Sequence, residues 1–128
     1  MNTDKRRWDE NEITEKIIGS AFTVSNTLGI GFLEKVYENA LRHEITKQGL
    51  LVQQQVPIKI GYDGVVVGDY IADLLVESHV LVELKVAKAL DDIHLAQCLN
   101  YLKGTGLKLA LLINFGNTRV EVKRVRND

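Results

Sequence analysis

The chain has one cysteine, Cys98, in 128 residues, which excludes an internal disulfide and leaves no cysteine-rich zinc signature. A long apolar run is missing as well. The longest, Leu109 to Ile113, is far short of the roughly 20 residues that a bilayer-spanning helix needs. No apolar stretch follows the opening Met1-Asn2-Thr3-Asp4-Lys5-Arg6-Arg7, so the expectation is a protein without a secretory signal, not in a membrane and cytoplasmic. There is no surplus of either charge: 16 basic residues meet 17 acidic ones, for a net charge of −1. A protein held mainly by phosphate contacts usually shows a basic excess, so any nucleic-acid surface must be a local patch. Several motifs are absent too. The three histidines show no HExxH spacing, which argues against catalytic zinc. Gly29-Ile30-Gly31 is a fragment of GxGxxG with Glu34 where the third glycine belongs, and Gly104-Thr105-Gly106 lacks the lysine of a P-loop. The serines have no nucleophile-elbow context.

What remains is ordinary globular composition, 45% hydrophobic and 26% charged, in a chain that fits one domain, residues 1–128, with residues 1–10 as a loosely ordered arm. Ile13, Ile17, Ile18, Ala21, Phe22 and Leu28 recur near a helical period over 11–28, and Gly29 and Gly31 mark a turn. A second helix is predicted over about 33–47, with Val36, Tyr37, Ala40, Leu41 and Ile45 on its inner stripe and Gly49 as its stop. Val52, Gln54, Val56, Ile58 and Ile60 then share one face of a strand. Tyr62-Asp63-Gly64 turns into Val65-Val66-Val67, and strands over about 70–76 and 80–86 follow. A helix over about 91–103, a strand over 108–114, a Gly116-Asn117 turn and a strand near 119–125 close the chain. The fold class is α/β, a mixed central sheet flanked by helices in the order ααββββαββ.

Chemistry gathers on one hairpin. If its turn centres on Ser78, Asp73 stands opposite Glu83, and Lys85 shares the Glu83 face two residues along. Facing carboxylates destabilise a bare sheet, but a divalent cation between them removes the conflict, since Mg²⁺ prefers carboxylate oxygen. A lysine beside the pair can steady developing negative charge or orient or deprotonate a water, the parts needed for metal-assisted attack on a phosphodiester. The same spacing also suits solvated charge at a strand end. Glu34 likewise reads two ways, as a carboxylate favoured by a helix N-terminus or as an acid reaching toward the hairpin. His94, Gln97 and Tyr101 fall on one side of the third helix and Leu95, Leu99 and Leu102 on another. The lone His94 reads as a surface residue and Cys98 as a small core residue. Lys85, Lys88, Lys103 and Lys108 lie close enough in sequence to form a phosphate patch, or to be ordinary surface charge. Lys5-Arg6-Arg7-Trp8 is followed at once by Asp9, Glu10 and Glu12, which favours a frayed charged terminus over a nucleic-acid contact.

Gly31-x-x-Glu34-x-x-Tyr37, Ala40-Leu41, Ile71-Ala72-Asp73-Leu74-Leu75-Val76, Val82-Glu83-Leu84-Lys85, Gln97-x-x-x-Tyr101-Leu102 and Leu112-Ile113-Asn114-Phe115-Gly116 together resemble the GxxExxY family, a branch of the PD-(D/E)XK nuclease superfamily. The resemblance spans about Ile13 to Val125, with Ala72 in place of the proline of the superfamily's name. It implies a restriction-endonuclease-like fold and hydrolysis of phosphodiester bonds in DNA or RNA. One or two Mg²⁺ or Mn²⁺ ions would be held by Asp73 and Glu83, with Glu34 and the backbone carbonyl of Leu84 completing or supporting the shell. Lys85 would position or activate the water. Gln97 and Tyr101, similar to the QxxxY pair of RecB-like nucleases, would support the site or contact substrate, with Tyr37 and Lys88 in supporting roles. Tyr37 is expected to pack, with its hydroxyl on Glu34 or a strand carbonyl. Small nucleases of this type often dimerise, which makes a homodimer a further expectation. The alternative function is a catalytically inactive module of the same fold that binds nucleic acid, a nucleotide or a protein.

Overall fold

The computed structural model describes residues 8–128. The elements are α1 (Glu10–Leu28), α2 (Glu34–Lys47), β1 (Val52–Tyr62), β2 (Val65–Val76), β3 (Val80–Lys85), α3 (Asp92–Thr105), β4 (Leu109–Asn114) and β5 (Glu121–Arg126). The order is ααβββαββ, one strand fewer than expected, because Val65–Val67 and 70–76 belong to one continuous strand. Gly68 and Asp69 look like turn formers, but β1 runs beside them, with Ile60 opposite Gly68 and Lys59 opposite Asp69. A ladder partner overrides the local preference. Residues 1–7 of the expected arm lie outside the described residues. Its last three are built into the fold: Trp8 packs on the first core, Asp9 caps α1 and Glu10 begins it.

The five strands form one sheet in the order β1-β2-β3-β4-β5. All neighbours are antiparallel except β3 and β4, which run parallel and are joined by the α3 crossover. Helices cover both faces. Under α1 and α2, Ile13, Ile17, Tyr37 and Leu41 pack on Val80, Val82 and Leu84 of β3 and on Leu109, Leu111 and Ile113 of β4. Under α3, Cys98, Tyr101 and Leu102 pack on Leu81, Ala110 and Leu112. Central strands buried on both sides read as apolar runs without alternation, which is why β3 and β4 look alike in sequence.

Capping fixes where two helices start. The Glu12 N–H donates to Asp9 Oδ1 at 2.8 Å and the Asp9 N–H to Glu12 Oε1 at 2.9 Å, a reciprocal box at the head of α1. At the head of α3, Asp91 accepts from the Ile93 and His94 N–H groups while its own N–H donates to His94 Nδ1. His94 is thus a capping residue at the surface. The third helix does not stop at Gly104 but at Gly106, which takes the left-handed cap conformation (φ 77°). Gly104 stays helical and lies close against β1: a Cβ there would fall 2.7 Å from Ile60 Cδ1 and 3.1 Å from Ile58 Cγ2, so a larger residue would require those side chains to shift.

Two expected faces are rearranged. On β1, Val52 joins the core under α1 and α2, whereas Val56, Ile58 and Ile60 join the core under α3. The strand turns over at Gln55, which has φ 57°. Its neighbour does the same, with Leu74 and Val76 in the first core and Ala72 in the second. Asp73 lies between them, where β2 changes sides. On α2 the buried stripe is Tyr37, Glu38, Leu41 and Ile45; Val36 is exposed and Glu38 takes an inner position.

Candidate active site

The hairpin between β2 and β3 sets the site. Glu77 and Ser78 both take positive φ, and the His79 N–H closes the turn on the Val76 carbonyl at 3.0 Å. The ladder then pairs Val76 with Val80, Leu75 with Leu81 and Leu74 with Val82, the register expected for a turn centred on Ser78. Asp73 and Glu83 are the next pair, and there the backbone ladder ends. Its place is taken by side chains: the Asp73 N–H donates to Glu83 Oε2 at 2.6 Å, and the Leu84 N–H donates to Asp73 Oδ2 at 2.8 Å. The two carboxylates therefore sit in the fork where β2 leaves β3 and continues along β1. Each uses one oxygen on the opposite strand and leaves the other, Asp73 Oδ1 and Glu83 Oε1, without a hydrogen-bond partner among the described residues.

Lys85 follows on the same face. Its Nζ donates to Gln97 Oε1 at 3.4 Å, and Gln97 Nε2 donates to the Tyr101 hydroxyl at 3.0 Å. Thus α3 brings Gln97 and Tyr101 to the hairpin as a relay behind the lysine. The Lys85 carbonyl accepts from the Phe115 N–H at 2.9 Å, so it faces β4. In a strand, alternate carbonyls face opposite edges, and one residue's N–H and C=O share an edge. The Leu84 carbonyl therefore faces the fork, beside Asp73.

The loop before α2 brings Glu34 toward the site. Gly31 has φ 109°, a conformation that L side chains rarely adopt, and Glu34 is the first residue of α2, whose N-cap Leu33 makes no side-chain capping bond. Glu34 lies within electrostatic reach of Asp73, Lys85 and Glu83. Tyr37 is fully buried. Its hydroxyl donates to the Gly29 carbonyl at 2.6 Å and accepts from the Phe32 N–H at 3.3 Å, and its ring stacks on Phe115 with centroids 4.9 Å apart. It clamps the loop that positions Glu34, bonding neither Glu34 nor a strand carbonyl, and it is out of substrate's reach.

Burial dominates the electrostatics. Glu83 is only 5% exposed, and desolvation, then the Asp73 charge, push its carboxyl up to about 8. Desolvation also raises Asp73, partly offset by the Leu84 N–H, and raises Glu34, with Asp73 adding to it. Crowded acids with raised affinity for protons also favour a cation. The described residues contain no group of three His, Cys, Asp or Glu side chains placed to hold a metal ion, so Glu34 is not assembled with the other two as a ready cage. Two carboxylates with a free oxygen each, and a carbonyl on the same edge, do fit a hard divalent ion that keeps several waters.

Other candidates lie elsewhere. Lys88 is exposed in the loop after β3, lining a surface cleft with Ile30, Arg119 and Glu121. Lys108 precedes β4 at the end that pairs with Val80, whereas Lys85 pairs with Asn114 at the other end, so the two stand six residues of strand, roughly 20 Å, apart and do not join one patch. Cys98 is a buried core residue whose thiol is pushed up to about 12 by desolvation. Three participants were not legible as such. Glu38, one helical turn after Glu34, is buried and accepts from Lys35, Gln54 and Gln55; its spacing was the available signal. Gln55 supplies the turnover of β1 opposite Asp73. Asn114, fully buried, accepts from the Ala87 and Gly116 N–H groups and donates to the Ala87 carbonyl, tying the segment after Lys85 to β4.

A five-stranded mixed sheet between helices, with two carboxylates and a lysine at the fork of its central hairpin, is a restriction-endonuclease-like architecture. The family model of the PD-(D/E)XK nuclease superfamily matches residues 11–125, and the chain belongs to that superfamily. Its nucleases act on nucleic acid and generally use divalent metal ions. No curated protein and no solved structure gives a match. Among the described residues no helix is long and apolar enough to cross a membrane.

Proposed function

We propose that the protein is a metal-dependent nuclease that hydrolyses phosphodiester bonds, with Mg²⁺ or Mn²⁺ held by Asp73, Glu83 and the Leu84 carbonyl. The observation that carries this reading is the fork: two desolvated carboxylates cross-bonded between β2 and β3, each with an oxygen to spare, and Lys85 next in line. A bound divalent ion supplies positive charge that polarises the phosphodiester and acidifies water. Lys85, steadied by Gln97, offers its remaining donors to a phosphate oxygen or the attacking water. Glu34 borders the site from the head of α2 and sets its charge balance. Membership of the GxxExxY branch is part of this reading, and each letter of the motif has a physical use: Gly31 turns the loop, Glu34 lies within electrostatic reach of Asp73 and Tyr37 locks the loop in place. A second copy of the chain would extend the surface over a substrate.

The test is cleavage of mixed DNA and RNA substrates with Mg²⁺ or Mn²⁺, beside Asp73→Ala and Lys85→Ala. Metal-dependent cleavage is expected, lowered by about 10²–10⁴-fold in each variant. No cleavage, together with no metal-induced rise in melting temperature, overturns the enzyme reading. The second reading, an inactive nuclease-fold binding module, draws on the missing three-donor group and the net charge of −1. Its signature is stabilisation by nucleic acid or a nucleotide without strand cleavage.

A further inference from the structure

Between α3 and the β1–β2 ribbon two clefts open in line. One, about 290 Å³, lies over Tyr70, Gln97, Asn100 and Tyr101. The next, about 380 Å³, is bounded by Tyr70, Asn100, Lys59 and Lys103. Tyr70 and Asn100 wall both, so they form one groove. Its inner end is the relay already described, because Gln97 also holds Lys85. The Tyr70 ring leans on that of Tyr101, centroids 5.4 Å apart at 48°. Tyr101 is buried and Tyr70 is 46% exposed, so the Tyr70 ring is backed by Tyr101 and presents itself to solvent beside the Gln97–Tyr101 pair. Lys59 is paired with Asp69 at 2.8 Å, which leaves the outer end of the groove to the charge of Lys103.

We propose that this groove is a subsite for single-stranded nucleic acid, in which an unpaired base stacks on Tyr70, Asn100 meets its polar edge and Lys103 holds a phosphate beyond it. The choice of ligand class rests on the nuclease reading above. The choice of strand state rests on the groove. An internal base of a duplex already has both faces stacked and gains nothing from an open ring, whereas an unpaired base does. The charge balance points the same way, since a chain of net charge −1 draws little on backbone electrostatics and needs stacking to hold a strand.

The experiment measures binding of a labelled oligo(dT) strand and of a hairpin duplex to the full chain by anisotropy, with Ca²⁺ present and cleavage followed in parallel with Mg²⁺ or Mn²⁺. The single strand is expected to bind tighter than the duplex. Tyr70→Ala should weaken single-strand binding about tenfold or more, Tyr70→Phe should restore it, and Lys103→Ala should reduce the slope of log affinity against log salt by about 0.7. Equal or tighter binding of the duplex, or Tyr70→Ala binding like the unaltered protein with its melting temperature unchanged, overturns the subsite. Tyr70-dependent binding without cleavage and without a metal-induced rise in melting temperature upholds the subsite and overturns the nuclease reading. Cleavage that is indifferent to Tyr70 and to strand state does the reverse.

Discussion

Val82 and Leu84 point from β3 into the core under α1 and α2, while Leu81, Glu83 and Lys85 point from the same strand toward α3. The first set is apolar to its end. The second begins as core at Leu81, becomes a desolvated carboxylate at Glu83 and ends as a part-buried ammonium at Lys85. Two neighbouring residues therefore answer to different requirements, close packing on one face and charge placement on the other. The difference arises because β2 stays paired with β3 only as far as Leu74. Past that point the α3 side of β3 opens into the fork, and the carboxylates there find backbone N–H donors rather than a close-packed partner.

Removing Lys85 should sharpen this contrast most. Lys85→Ala is expected to cut cleavage by about 10²–10⁴-fold and leave urea unfolding nearly unchanged. Val82→Ala, on the packing face, should cost about 2–3 kcal/mol of stability. If Val82→Ala abolished cleavage in the folded protein as fully as Lys85→Ala, the division between the two faces would fail.

Next in size is the effect of pH. Glu83 in the folded, metal-free protein is raised to about 8 from 4.5, so across that window the folded state binds more protons than the unfolded one, and stability falls as pH rises. Below the unfolded value both states are protonated and the group contributes nothing unfavourable. At each unit costing about 1.4 kcal/mol, the fall between pH 5 and pH 8 is on the order of a few kcal/mol. Asp73 and Glu34, raised for the same reason, add to its acid end. Urea unfolding in EDTA at several pH values checks this, and Glu83→Gln should flatten the dependence while lowering cleavage. A flat profile in the unaltered protein would remove the case for a desolvated site.

The smallest effect belongs to the packing face. Tyr37→Phe keeps the stack on Phe115 and removes the bond to Gly29, at a cost of about 1–2 kcal/mol, read as a lower melting temperature. Because the same loop carries Glu34, cleavage should fall only a few-fold. A loss as large as that of Lys85→Ala would make Tyr37 part of the chemistry and not of the frame.

Much of the site was readable in the sequence. The hairpin register followed from Ser78 at the turn and the period of two along each strand, and it placed Asp73 against Glu83. Gln97 and Tyr101 shared a helix face by spacing alone. Other features were hidden for particular reasons. Glu38 looks like an outward charge on α2, and only Lys35, Gln54 and Gln55 converging on it account for its burial. Asn114 sits in an apolar run and gives no sign that its amide would bind a segment reaching back to Ala87. Val65–Val67 and 70–76 read as two strands because Gly68 and Asp69 favour a break that β1 prevents.

Strand alternation in the sequence put Glu83 and Lys85 on one face and, for a turn centred on Ser78, set Asp73 against Glu83. Turn position and alternation are local and span only a few residues, and the observed ladder has that turn. What the tertiary structure decided was the fork around them. Gln55 turns β1 over, β2 follows β1 away from β3 at Asp73, and the vacated ladder positions pass to the two carboxylates. That outcome depends on residues distant in the chain competing for the same backbone groups, which no local pattern records.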